Sequence, residues 1–171
     1  MALLVLSVVG SDRPGLTKAL AAAVLKAGGN WLESHLSRLG GLYVGSVLVE
    51  LDTNGAQALR TAIEAIDADG LEVRIAPALE EPAAKIGETL QFSVVGSDRP
   101  GIVDQVTTTL SGLDANIETF KTWIAPEPHS GMPLFHMQAL LRLPPGLSAT
   151  KVQTALEEIS GEIMIDISLT A

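Results

Sequence analysis

The chain has 171 residues, no cysteine, and a formal net charge of −9 from 11 basic and 20 acidic side chains. The lack of cysteine excludes disulfide scaffolds, zinc–thiolate sites and cysteine nucleophiles. The acidic balance opposes direct contact with nucleic-acid phosphates or anionic lipid.

The apolar start, residues 1–6, has no basic flank, and Ser7 with Gly10, Ser11 and Asp12 ends it far short of a membrane span. A soluble, cytoplasmic protein is expected. Leu4, Leu6 and Val8 alternate as the buried face of a first strand. After a turn at Gly10–Gly15, Leu16, Leu20, Val24 and Ala27 follow helical spacing, and Gly28-Gly29 stops the helix. Two strand-like runs, 31–39 and 42–51, are joined by Gly40-Gly41, a favourable hairpin pair. A second helix carries Leu59, Ile63 and Ile66, and a last strand carries Leu71, Val73 and Ile75.

The order then repeats. The nine residues Ser7–Gly15 recur identically at Ser93–Gly101, 86 positions later, and the same offset carries Leu6 to Phe92, Leu16 to Ile102, Leu20 to Val106, Val24 to Leu110 and Asn30 to Asn116. Leu42-Tyr43 matches Leu134-Phe135 at an offset larger by six, which places a longer hairpin loop around Ala125–Pro133. Val152, Leu156 and Ile159 mark the second helix of copy two, and Ile163, Ile165 and Ile167 its last strand. The stretch Ala76–Gly87, with Pro77 and Pro82, shows no strand pattern. We expect modules at 1–78 and 88–171 with a linker at 79–87. The fold class is α+β: two ferredoxin-like βαββαβ modules in tandem, each an antiparallel sheet with its helices on one face. The uncovered face needs a second module, from the same chain or in a homodimer.

The repeated turn has a structural reading for each residue. Gly10 permits positive φ, Pro14 and Pro100 suit a first helical turn, Asp12 can cap the helix, and Gly15 allows close packing. It also has a functional reading. Free N–H groups at a helix start suit a carboxylate, and an aspartate beside them suits an ammonium, the two charged ends of a free α-amino acid. On this reading the ligand-binding residues are Asp12, Arg13, Pro14, Gly15, Leu16 and Asn30, with Asp98, Arg99, Pro100, Gly101, Ile102 and Asn116. Asn30 and Asn116 are expected to reach the same end of the sheet as the turn.

The order βαββαβ, with Asp-Arg-Pro-Gly-Leu/Ile in the first turn and Asn at the second strand, resembles the ACT domain, whose members commonly bind amino acids against the first turn and helix. The tandem form is similar to the repressors of glycine cleavage genes, on Asn30–Ser34, Arg38–Gly41 and Ser130–Met137. That resemblance implies a non-catalytic protein that senses glycine or another small amino acid and restrains a DNA-binding transcriptional activator. A regulatory subunit of an amino-acid metabolic enzyme is the alternative. Thr119-Phe120 stands where copy one has Glu33-Ser34, so the two halves are not expected to be equal.

Other chemistries fit less well. Gly10 and Gly15 have P-loop spacing, but Leu16 and Ile102 occupy the lysine position. An acylphosphatase-like phosphatase could use Arg13, Arg99, Asn30 and Asn116, yet Pro14 removes an N–H donor from the loop. An RNA-binding sheet needs aromatics, which are 4% of the chain, and basic charge. His35, His129 and His136 have no metal-ligand spacing, so neither metal nor cofactor is expected. Trp31 and Trp123 are assigned to core or module contacts.

Overall fold

The computed structural model describes all residues except 1, 53–54, 68–69, 80–86, 129, 160–162 and 171, and gives only the backbone for Asp67 and the last strand. The chain divides into two compact units, Met1–Glu81 and Pro82–Ala171. The expected linker lies, for residues 80–86, outside the described residues.

Unit one runs β1 (Ala2–Ser11), α1 (Leu16–Lys26), β2 (Asn30–Leu39), β3 (Leu42–Leu51), α2 (Gly55–Asp67) and β4 (Leu71–Pro77). Unit two repeats it as β5 (Thr89–Ser97), α3 (Ile102–Gly112), β6 (Asn116–Pro126), β7 (Pro133–Arg142), α4 (Ala149–Glu158) and β8 (Ile163–Thr170). The sheets have strand orders β2-β3-β1-β4 and β6-β7-β5-β8, with every neighbouring pair antiparallel. This is the ferredoxin-like arrangement, twice.

Period-two patterning builds both cores. Leu4, Leu6 and Val8 of β1 meet Val47, Val49 and Leu51 of β3 and the α1 residues Leu16, Leu20 and Val24 in one buried cluster. In unit two Leu90, Phe92 and Val94 pack with Ile102, Val106 and Leu110 and with Met137 and Leu141. Leu3 and Val9, on the face of β1 turned away from the helices, are exposed. α4 is capped by Ser148, whose hydroxyl accepts from the Lys151 N–H. Among the described residues no helix is long and apolar enough to cross a membrane.

Strand β4 extends further than its sequence suggests. Ala76 and Pro77 pair with Val5 and Leu4, because a proline at the end of an edge strand costs the sheet no shared N–H. Between β2 and β3, Gly40 and Gly41 both take positive φ, as a two-residue hairpin turn demands. The longer hairpin of unit two is tied by Glu127 N–H to Met132 O at 2.8 Å; His129 lies outside the described residues.

Candidate functional site

The repeated turn leaves β1 at Ser11 and enters α1 at Leu16. Gly15 stands at the helix cap with φ 94° and ψ −3°, and Gly101 with φ 86° and ψ −2°. These are the angles of the third residue of a type II turn with proline before it, so Pro-Gly makes the bend and only glycine takes the left-handed position without strain. Pro14 and Pro100 therefore sit before the helix cap and not in the first helical turn. Gly10 does not take positive φ; it is small because a Cβ there would lie 2.6 Å from Gly70 O on the way into β4.

Neither aspartate caps its helix, contrary to the capping reading: the cap residues are glycines with no side-chain cap bond. The N–H groups of Leu16–Lys18 and Ile102–Asp104 have no hydrogen-bond partner among the described residues, and the helix ladder begins with Ala19 N–H to Gly15 O at 2.9 Å and Gln105 N–H to Gly101 O at 3.0 Å. Each helix start thus presents open donors with an aspartate three residues before the glycine.

The surroundings of the two turns differ. In unit one Asp12 Oδ2 is paired with Arg38 Nε of β2 at 3.2 Å. Thr17 Oγ1 and the Tyr43 hydroxyl share a hydrogen bond of 2.6 Å beside it. In unit two the residues at the matching positions are Ile124, Val103 and Phe135, all apolar. Asp98 has no ion pair among the described residues, while Arg99 donates to Gln105 Oε1 at 2.6 Å. A cleft of about 660 Å³ opens there, lined among others by Asp98, Arg99, Val103, Asp104, Ile124 and Phe135. Asp104 occupies the first turn of α3 where α1 has Lys18, so the second cleft carries one more carboxylate and one less ammonium.

Four of the expected residues, Asp98, Arg99, Gly101 and Ile102, line that cleft. Leu16 is buried in the first core, and Arg13 lies exposed in its turn. Asn30 and Asn116 are elsewhere. Asn30 pairs with Glu50, which pairs with Leu3, whereas the turn follows Ser11 paired with Leu42. Asn116 pairs with Arg142, and that with Thr89, again at the far end from Ser97. The eight-residue separation along the strand corresponds to roughly 27 Å. Antiparallel pairing is the physical reason: the second strand starts where the first one starts, so within a module neither asparagine shares a ligand with the turn.

The sequence difference at Glu33-Ser34 and Thr119-Phe120 is also remote. Glu33 pairs with Leu48 in mid-strand and binds His35 Nε2 at 2.9 Å on exposed surface. The positions that differ at the turn are on the facing hairpin, Arg38 and Tyr43 against Ile124 and Phe135, and in the first turn of the helix, Thr17 and Lys18 against Val103 and Asp104. Trp123 is not a core residue: it stacks on His136 with ring centres 5.0 Å apart and also borders the cleft, while Trp31 packs against the first core. Among the described residues no group of three His, Cys, Asp or Glu side chains could hold a metal ion.

Residues 2–75 match the family profile of the ACT domain. No curated protein matches the sequence at a significant level. A solved structure of an unknown protein from Galdieria sulphuraria is 29% identical, with a TM-score of 0.85 and 99% of each chain covered. A candidate glycine cleavage system transcriptional repressor is 16% identical, with a TM-score of 0.70 over 99% of this chain and 98% of that one, which is a likeness of fold. The first module, residues 2–75, matches the ACT-domain family, and a second ferredoxin-like module of the same element order follows it.

Proposed function

We propose that the chain is a non-catalytic regulatory protein of the cytoplasm that senses a free α-amino acid and changes its hold on a protein partner. The observation that carries this reading is the cleft at the second copy of the turn, where Asp98, without an ion pair among the described residues, stands at the start of a helix with no side-chain cap. An ammonium facing the carboxylate and a carboxylate facing the N–H donors account for both charged ends of such a ligand. In the same cleft the arginine is engaged by Gln105, and the Thr107 hydroxyl donates to Val103 O.

Regulation of transcription is the specific form we favour, with a free α-amino acid relieving restraint on a DNA-binding activator. The fold shared over nearly the full length with a candidate glycine cleavage system transcriptional repressor supports it. The net charge of −9 suits a protein partner better than DNA. Titration calorimetry across the amino acids, with a melting curve for each, tests the sensor. A ligand at 100 times its Kd stabilises the folded state by about 2.7 kcal/mol and raises the melting temperature by several degrees. No heat and no shift with any amino acid removes the sensing role.

A further inference from the structure

We propose that ligand binding is confined to the second turn, that its ligand is an α-amino acid with a branched or aromatic apolar side chain, and that Arg38 makes the first turn self-occupied. The proposal rests on the sensor reading and fixes the ligand class and the number of sites within it.

Three substitutions between the copies carry it. Arg38 places a guanidinium on the Asp12 carboxylate, where a ligand ammonium would have to go, and Ile124 replaces it beside Asp98. Tyr43 and Thr17 close a hydroxyl pair at the start of α1, and Phe135 and Val103 replace them at the start of α3. An apolar side chain set against Thr17 and Tyr43 would strip water from both exposed hydroxyls, which opposes its binding. Set against Val103 and Ile124, with the buried Phe135 behind them, it removes apolar surface from water on both sides. Val103 and Ile124 are 38% and 51% exposed, so this wall is open to an incoming group.

Charge selects the other end of the ligand. Asp98 and Asp104 both border the cleft, and its one guanidinium is already hydrogen-bonded to Gln105. An ammonium is therefore required, and the carboxylate falls to the helix N–H groups. Glycine satisfies the charged ends and leaves the apolar wall wet. The cleft of about 660 Å³ has room for a leucine or phenylalanine side chain.

The test is titration calorimetry of the full chain with leucine, phenylalanine, glycine and 3-methylbutylamine, repeated on the variant Ile124→Arg. We expect one site per chain and leucine or phenylalanine binding roughly 10- to 100-fold tighter than glycine, the ratio given by burying one such side chain. The amine, lacking the carboxylate, is expected to bind roughly tenfold or more weakly than leucine. Ile124→Arg is expected to lower leucine affinity at least tenfold with an unchanged melting temperature, since Ile124 is mostly exposed. Two equal sites, glycine equal to leucine, an amine as tight as leucine, or full affinity in Ile124→Arg each overturns the proposal while leaving amino-acid sensing intact. No binding by any amino acid overturns the sensor reading itself.

Discussion

The two copies of Ser-Val-Val-Gly-Ser-Asp-Arg-Pro-Gly have one backbone and two chemistries. Gly15 and Gly101 differ by 8° in φ, as 94° against 86°, and both helices begin one residue later without a side-chain cap. Yet one aspartate is held by Arg38 and the other looks onto Ile124. The motif fixes the bend and the direction of the N–H groups; the hairpin strand packed across from it decides what the bend can hold. A repeated motif is thus evidence for a repeated shape, and the facing strand must be read before a repeated ligand is inferred.

Several substitutions would break or sharpen this contrast. The largest effects lie in the two cores, which should respond alike. Phe92 and Leu6 occupy matching positions and are both essentially unexposed. Phe92→Ala is expected to cost about 3–5 kcal/mol and Leu6→Ala about 2–5 kcal/mol. Urea unfolding followed by circular dichroism measures both, and a loss under 1 kcal/mol at either position would contradict the burial assigned to it.

One matched pair should lose stability by opposite routes. A Cβ at Gly45 would lie 1.9 Å from His35 O, whereas Met137, at the matching position, is fully buried. Adding a methyl group in Gly45→Ala is expected to destabilise by about 1–3 kcal/mol through crowding. Removing side-chain atoms in Met137→Ala is expected to destabilise by about 2–5 kcal/mol through a cavity. Stability gained from Gly45→Ala would show that β2 and β3 are not pressed together there.

The turns themselves should again respond alike. Beyond the chain neighbours, no atom of the described residues lies within 4 Å of a Cβ built on Gly15 or Gly101, so the cost of Gly15→Ala or Gly101→Ala is backbone strain, about 1–2 kcal/mol each. Melting curves in which one costs nothing would mean that its turn relaxes to another conformation. The smallest effect belongs to the ion pair. Arg38 is 72% exposed, so Arg38→Ile should change stability by less than about 1 kcal/mol. A double-mutant cycle with Asp12→Asn reads the coupling, and a value well above about 1 kcal/mol would contradict the exposure of the pair.

Much of the fold was legible because its signals are local and periodic. Alternation named Leu4, Leu6 and Val8, helical spacing named Leu16, Leu20 and Val24, and all are buried. The turn glycines were legible as glycines, though the roles of Gly10 and Gly15 were exchanged: close approach belongs to Gly10 and positive φ to Gly15. The candidate cleft was half legible. Asp98, Arg99, Gly101 and Ile102 lie on the turn that the repeat singles out, and they line the cleft. Asn30 and Asn116 were misplaced because proximity in an antiparallel sheet follows register and not order along the chain. Arg38, Tyr43, Ile124 and Phe135 were missed for the same reason. Carrying the repeat alignment onto the hairpin, position by position, was the signal that could have exposed them.

The tryptophans give the duplication a practical consequence. The chain contains two, Trp31 in the first unit and Trp123 in the second. Trp31 packs on the first core, while Trp123 borders the cleft and stacks on His136. Indole emission responds to its immediate surroundings, so each half carries its own native fluorophore. A ligand seated in the cleft should shift the emission of Trp123 and leave that of Trp31 as it was, and Trp31→Phe isolates the responding signal without any label.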